Sequence, residues 1–367
     1  MKKLYLGLAL AAVTVCGSLV GCGEPKGKEI AVVTDVGSLM DGGFNQGTWE
    51  GSKAYAEANG KTYAYYQPAN GASATNADRE AAMRTAIANG AKVIVCPGFM
   101  QFDAMNVVAQ EHPEVKFVFV DGWSFGLSNV TAITYKEEES GYLAGYACVK
   151  EGYTKLGGTF GGGAGNPACN RFAWGYAQGI SAAAQEMNKE DIELKISFLH
   201  GESFSSSPEL KTQIAGWYNS GTEVVFSCGG SMVDSVVSAA DEAGKGKIVG
   251  VDVDQASLSP RVITSAVKGL SASVQQVLGQ FYAGEWDAKL ADKEQNLGAK
   301  ENATGLPTAE GSWRFDHFQR ADYDALFAAI AGGTLLIDND VADGEAVKAK
   351  VEGLTNITAT VELPSAQ

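Results

Sequence analysis

Ile30-Ala-Val-Val-Thr34 runs directly into Asp35-Val-Gly-Ser-Leu-Met-Asp-Gly-Gly-Phe-Asn-Gln46, and the join between them decides the fold. The first stretch is apolar and β-branched. Beyond the join, Phe44, Thr48, Gly51, Tyr55 and Ala58 share one helical face, and Asn59-Gly60 supplies a stop. A glycine-rich strand-to-helix turn carrying two carboxylates, a ring and an amide belongs at the carboxyl edge of a parallel sheet. Open α/β sheets bind their ligands at that edge. The stretch is therefore expected to form the first wall of a ligand cleft.

The same grammar repeats from Glu29 onward. Strands are expected at Thr62–Gln67, Lys92–Cys96, Val115–Val120 and Val130–Thr134, with helices between them. Thr75 and Asp78 stand at capping-box spacing before one helix, and another runs from Phe102 to Glu111. The pattern then resets. A helix with an acidic start runs from Tyr135 to Val149, followed by a short glycine-rich strand at Leu156–Phe160 and a helix at Arg171–Met187. Strands at Leu194–Leu199, Glu223–Cys228 and Lys247–Val251 alternate with helices near 210–219 and 231–243. Such alternation argues for parallel sheets with right-handed crossovers, and near-continuous apolar strands for sheets covered on both faces. Two successive sets of these units predict two similar lobes. In the last quarter, 294–311 reads as a polar loop, Tyr323–Ile330 and Gly344–Glu352 as helices, and Ile357–Val361 as a strand.

What ends each strand is the functional clue. The terminators are Asp35, Pro97-Gly98-Phe99 and Asp121-Gly122-Trp123 in the first set. In the second they are Gly161-Gly-Gly163, His200-Gly-Glu-Ser-Phe204, Gly229-Gly230 and Asp252-Val-Asp254. Parallel strands put all of these on one edge. Carboxylates accept from hydroxyls, rings stack on planar faces, and glycine lets a backbone come close. The set suits a neutral polyhydroxylated ligand with a ring, a nucleoside or a sugar, and disfavours an anion. Each aspartate has a structural alternative as an N-cap for the following helix, and Phe44 one as a core residue.

Chemistry-bearing motifs point away from catalysis. His112, His200 and His317 are far apart and show no metal-ligand spacing. Gly60-Lys61-Thr62 closes a helix rather than opening one, Gly161–Gly165 misses the dinucleotide spacing at Asn166, and no GxSxG elbow occurs. No cofactor, metal or enzymatic activity is expected.

The chain opens with Met1-Lys2-Lys3 and an uncharged run from Leu4 to Val20, then Gly21-Cys22. This is a secretory signal ending in a small residue before cysteine, similar to the lipobox of bacterial lipoproteins. That processing implies cleavage before Cys22, lipid on its sulfur, a tether over 22–28, and an extracytoplasmic protein anchored to the cell membrane. Removing 1–21 takes two lysines and no acid from a chain already at −15. Such acidity repels nucleic acid, so none is expected as a partner. Of the remaining cysteines, Cys96 and Cys228 lie in apolar runs, and Cys96, Cys148, Cys169 and Cys228 are expected as buried free thiols rather than bridges.

Several motifs occur together and in order: Thr34-Asp35…Asp41-x-x-Phe44-Asn45-Gln46, Trp49-Glu-Gly51, and Lys136-Glu-Glu-Glu-Ser-Gly-Tyr-Leu-Ala-Gly145. Ser203-Phe204, Gly229-Gly230, Gly250-Val-Asp-Val-Asp-Gln255 and Thr264-Ser-Ala-Val-Lys268 follow. In these the chain resembles the basic membrane lipoprotein (PnrA-like) family of purine-nucleoside-binding proteins that serve ABC transporters. The resemblance implies an α/β, type I periplasmic-binding fold with two Rossmann-like lobes joined by a three-strand hinge. The first lobe would hold 29–133 and about 270–295, the second 134–269 and about 296–367. It implies that Phe44 or a neighbouring ring, together with Phe204, sandwiches a base, that Asn45 and Asp121 bond its edge, and that Asp41, Gly230, Asp252 and Lys268 hold the ribose. Asp35, Phe99, Trp123 and Phe172 are further candidates, with Asp35 shaping the turn. The implied partner is an ABC permease, the protein a monomer, and a free sugar the alternative ligand. Gly42-Gly43, where the family often has a basic residue and serine, and the Gly161–Cys169 loop are where base preference is expected to differ.

Overall fold

The structure, a computed structural model, describes residues 28–36 and 38–365; the expected leader, the Cys22 anchor and the tether up to Gly27 lie outside the described residues. The first unit runs β1 (Ile30–Val33), α1 (Phe44–Ala58), β2 (Tyr63–Tyr66), α2 (Asn76–Ala88), β3 (Val93–Pro97), α3 (Phe102–Glu111), β4 (Lys116–Val120) and β5 (Val130–Tyr135). The second runs α4 (Glu137–Glu151), β6 (Lys155–Phe160), α5 (Pro167–Glu186), β7 (Glu193–Ser197), α6 (Pro208–Asn219), β8 (Val224–Cys228), α7 (Met232–Glu242), β9 (Lys247–Asp252) and β10 (Val262–Lys268). The last stretch holds α8 (Leu270–Tyr282), α9 (Trp286–Lys289), β11 (Lys293–Leu297), β12 (Thr304–Gly305), α10 (Arg320–Ala331), α11 (Gly344–Glu352) and β13 (Thr358–Glu362).

These strands form two sheets, in the orders β11-β5-β4-β3-β1-β2 and β12-β10-β9-β8-β6-β7-β13. Every pairing is parallel except β10 with β12. All four residues of β1 are buried, as are all five of β3 and β8, which is why these strands read as unbroken apolar runs. In the first sheet one face packs α2 and α3 around Met83, Met105 and Phe117; the other packs α8 and α9 around Val274, Leu278 and Trp286. The chain passes between sheets three times: from β5 into α4, from β10 into α8, and from β11 into β12.

The polar stretch near 294–311 is not all loop. Lys293–Leu297 is a strand paired with β5 from Lys293 opposite Thr131 to Leu297 opposite Tyr135. It lies on the sheet edge with its side chains half-buried or exposed, so Lys-Glu-Gln-Asn-Leu carries no apolar alternation to announce it. Two helix starts also move. Tyr135 stays in β5, so α4 begins at Glu137, and α5 begins at Pro167, with the Asn166 side chain accepting from the Cys169 amide at 2.9 Å. Thr75 and Asp78 do form a capping box.

The second lobe is built on a close helix pair. On α4, Gly141 and Gly145 face the backbone of α5, and on α5, Gly175 and Gly179 face that of α4. A Cβ added at Gly175 would lie 2.2 Å from the Glu138 carbonyl oxygen, and one at Gly179 2.0 Å from that of Tyr142. Only hydrogen fits there. The contact fixes the first turn of α5, and with it Cys169, Arg171 and Phe172, against the acidic start of α4.

Candidate functional site

The carboxyl ends of both sheets face each other across a cleft. One wall comes from the first lobe: Asp35, Asp41, Phe44, Asn45, Phe99 and Asp121. The other comes from the second: Phe172, Phe204, Gly230, Asp252 and Lys268. Eleven of the twelve ligand candidates read from the sequence thus meet in one cavity. Trp123 does not. It faces an adjoining chamber with Phe99, Asp121 and Arg171, and its ring packs on Phe102 at 5.0 Å.

The opening turn divides its work between two aspartates. Asp35 caps the strand end: its carboxylate accepts from the Val36 amide at 2.6 Å and presses on Gly98, where a Cβ would fall 1.8 Å from the Asp35 oxygen. Burial pushes its pKa up to about 6. Asp41 organises the helix entry. Its Oδ1 accepts from the amides of Gly43 and Gln46 at 2.9 and 3.1 Å, and its Oδ2 from that of Asn45 at 3.0 Å. These bonds cap the first turn of α1 and hold Phe44 and Asn45 toward the cleft, whereas Asp35, the strand-end aspartate with a helix-capping alternative, accepts from the adjacent Val36 amide. Burial raises the Asp41 pKa, and the three amides oppose that rise.

Four groups define the electrostatics. Lys268, at the end of β10, lies 2.5 Å from Asp121, 3.2 Å from Glu137 and 3.7 Å from Asp252, under the ring of Phe44 at 5.0 Å. Burial alone would lower its pKa, but the three carboxylates raise it well above the ordinary 10.5. Glu137 opens α4 and is fully buried. Its burial is outweighed by Lys268 on one side and by Arg171, at 2.6 Å, on the other, which together lower its pKa. Asp121 remains raised by burial despite its lysine. The Asp252 carboxylate accepts no hydrogen bond from the described residues. Burial lifts its pKa to about 7, Lys268 opposes the rise, and Asp121 and Asp41 add to it.

Two further features distinguish the walls. The Oδ1 atoms of Asn45 and Asp121 are buried and have no hydrogen-bond partner. An unsatisfied buried acceptor costs about 1–3 kcal/mol, which a donor from a ligand removes. Asp121, Phe204 and Asp252 also sit in left-handed backbone conformations, with φ of 57°, 55° and 67°. Such strain in non-glycine residues collects at functional sites. The lobes touch at the mouth, where the Gln255 side chain donates to the Gly42 carbonyl at 2.9 Å and Gly43 lies against Gly230 and Asp252.

Further wall residues come from the Gly161–Cys169 loop, expected to bear on base preference, and from Cys228, which is not among the sequence candidates. Asn166, Ala168 and Cys169 line the cleft because α5 starts four residues before the pattern indicated; the signal was present in Asn166-Pro167, a cap followed by proline. Cys228 lines it as the last residue of β8. The four described cysteines are all free and buried. Among the described residues no group of three or more potential metal ligands occurs.

A family model described as "ABC transporter substrate-binding protein PnrA-like" matches residues 28–323. The chain is 31% identical over 318 residues to the ABC transporter nucleoside-binding protein BmpA of Lactococcus lactis, covering 78% of this chain and 87% of that one. It is 27% identical over 340 residues to the CD4+ T-cell-stimulating antigen of Listeria monocytogenes, covering 83% and 91%. In fold it is similar to a solute-binding protein of an ABC transporter system from Aeropyrum pernix, with a TM-score of 0.73 at 21% identity over 88% of this chain and 98% of that one.

Proposed function

Since the chain belongs to the PnrA-like family of ABC transporter substrate-binding proteins, we propose that it captures purine nucleosides between its lobes and hands them to an ABC importer. The observation that carries this reading is the division of the cleft. Two half-buried rings, Phe44 and Phe204, stand on opposite lobes. Near them lie the unpartnered acceptors of Asn45 and Asp121, and the Asp252 carboxylate, without protein donors, faces the same cavity beside Lys268. A planar base between rings and a ribose with hydroxyl donors answers that set. Stacking supplies affinity, at about 1–3 kcal/mol per base. The buried carboxylate penalises ligands that lack hydroxyls.

In this reading Asp41 and Gly230 complete the ribose site, while Asp35, Phe99 and Phe172 shape the walls. The segments 28–135 with 270–297 move as one lobe and 136–269 with 298–365 as the other, about the three crossings near residues 136, 269 and 298. The processed chain is monomeric and held at the outer face of the cell membrane by lipid on Cys22. It binds and releases without chemistry, cofactor or nucleic acid.

Titration calorimetry of the purified protein with adenosine, guanosine, inosine, cytidine and ribose tests the reading. Heat with purine nucleosides and none with ribose supports it. Heat with ribose alone selects a sugar-binding protein of the same fold, and silence with all five sinks both.

A further inference from the structure

The cleft wall holds a pair of thiols that the ligand roles above do not use. Cys169 sits on the first turn of α5 and Cys228 ends β8, and both line the cavity. Their sulfurs are 3.9 Å apart, in contact. The pair is held from both sides. The Cys169 amide is fixed by the Asn166 side chain at 2.9 Å, and the Cys228 carbonyl accepts from the Gly161 amide at 2.8 Å. Fifty-nine residues separate them in sequence, so the pairing is a product of the fold. The other two described thiols differ. Cys96 lies inside the first sheet and Cys148 in the α4 core, and neither lines the cleft.

We propose that Cys169 and Cys228 are a reversible dithiol–disulfide site, oxidised by small disulfides that enter through the ligand cleft and shielded whenever the cleft is filled. Cys169, the more exposed of the two at 6% against 1%, is the point of entry. Its thiolate attacks one sulfur of the incoming disulfide, forming a mixed disulfide and expelling one thiolate, which takes up a proton. The Cys228 thiol, deprotonated, then attacks the Cys169 sulfur and expels the second thiol. Two protein thiols become one disulfide, and one external disulfide becomes two thiols. Burial holds the Cys228 thiol protonated, and the neighbouring Cys169 adds to that, so exchange waits on opening of the cleft rather than proceeding on the closed molecule. The shielding half of the proposal rests on the nucleoside reading; the disulfide half does not.

The test uses the purified protein, reduced and then incubated with oxidised glutathione, quenched with N-ethylmaleimide and mapped by proteolysis and mass spectrometry. The expected result is a Cys169–Cys228 linked peptide, with Cys96 and Cys148 alkylated. The link should be absent in C169S and C228S, unchanged in C96S, and reversed by dithiothreitol. A saturating purine nucleoside, its binding verified by calorimetry, should slow formation by about tenfold or more, because a filled cleft keeps the reagent from the thiol. Failure of the linked peptide to form in the wild-type chain, or its formation through Cys96 or Cys148, overturns the proposal. Equal rates with and without bound nucleoside overturn the shielding. If no nucleoside binds but the link forms, the ligand reading falls and the dithiol stands.

Discussion

Replacing Asp252 by asparagine separates what this residue does for the fold from what it does for the ligand. In the folded protein its carboxyl titrates near 7 instead of the ordinary 3.8, because burial outweighs the pull of Lys268. Between those two values the unfolded chain has already released a proton that the folded chain keeps. Stability therefore falls as pH rises through this window, and the full penalty stands above about pH 7. A rise of about three pH units at about 1.4 kcal/mol each sets a ceiling near 4 kcal/mol. The neutral amide of the D252N variant carries no such penalty, and Lys268 keeps Asp121 and Glu137 as partners. D252N should come within about 1 kcal/mol of the wild type in stability near pH 4.5 and exceed it by about 2–4 kcal/mol at pH 8, read from urea unfolding at each pH. The same change removes a charged acceptor for the ribose. Hydrogen bonds to charged groups are worth about 1.5–3 kcal/mol, so nucleoside affinity should fall about 10- to 100-fold. A stability difference that stays flat from pH 4.5 to 8, or a variant less stable at pH 8, would refute the account of Asp252 as a buried charge held ready for a ligand.

Because ribose hydroxyls donate to the ionised form of Asp252, wild-type affinity should weaken as pH drops from 8 to about 5.5, with proton release on binding in the range just below the Asp252 pKa of about 7; calorimetry in buffers of different ionisation heat reads both. K268M leaves Asp121 and Glu137 short of a cation and should cost about 3–5 kcal/mol in denaturant unfolding. G179A puts a methyl against the Tyr142 carbonyl, 2.0 Å from an ideal Cβ, and should cost about 1–3 kcal/mol or more as α4 and α5 are forced apart, visible as a lower melting temperature. F204A should weaken nucleoside binding by about 1–3 kcal/mol while leaving far-UV circular dichroism unchanged; unchanged affinity would remove Phe204 from the base site.

Much of this molecule is legible from residues 29–268 because covered parallel strands advertise themselves twice. Burial on both faces makes them apolar runs, and the turn that follows each must be polar or glycine-rich. Legibility fails where those signals are absent. β11 is an edge strand whose side chains need not be apolar, so Lys293–Leu297 reads as loop. The start of α5 is hidden because Gly161–Gly165 and Pro167 look like loop, although Asn166 caps the helix through its side chain. Trp123 shares the strand-end position of Asp121, yet its ring turns onto Phe102, away from the main cleft.

From the sequence alone, polar and glycine-rich strand ends are expected to gather at the carboxyl edge of a parallel sheet. Parallel strands carry their carboxyl ends to one edge of their own sheet, which groups Asp35 with Asp121 and Gly229-Gly230 with Asp252, whereas the meeting of the two edges across one cleft is set by the packing of the lobes. The use to which each convergent group is put is a property of the tertiary structure. Asp41 gives its oxygens to three backbone amides, while Asp252, of the same chemistry, meets none and is left to Lys268 at 3.7 Å. Cys169 and Cys228 touch although 59 residues apart. Hydrogen bonds, ion pairing and thiol contact depend on distances of a few tenths of an ångström and on exclusion of water. Periodicity along the chain records which face a residue occupies, and neither of those.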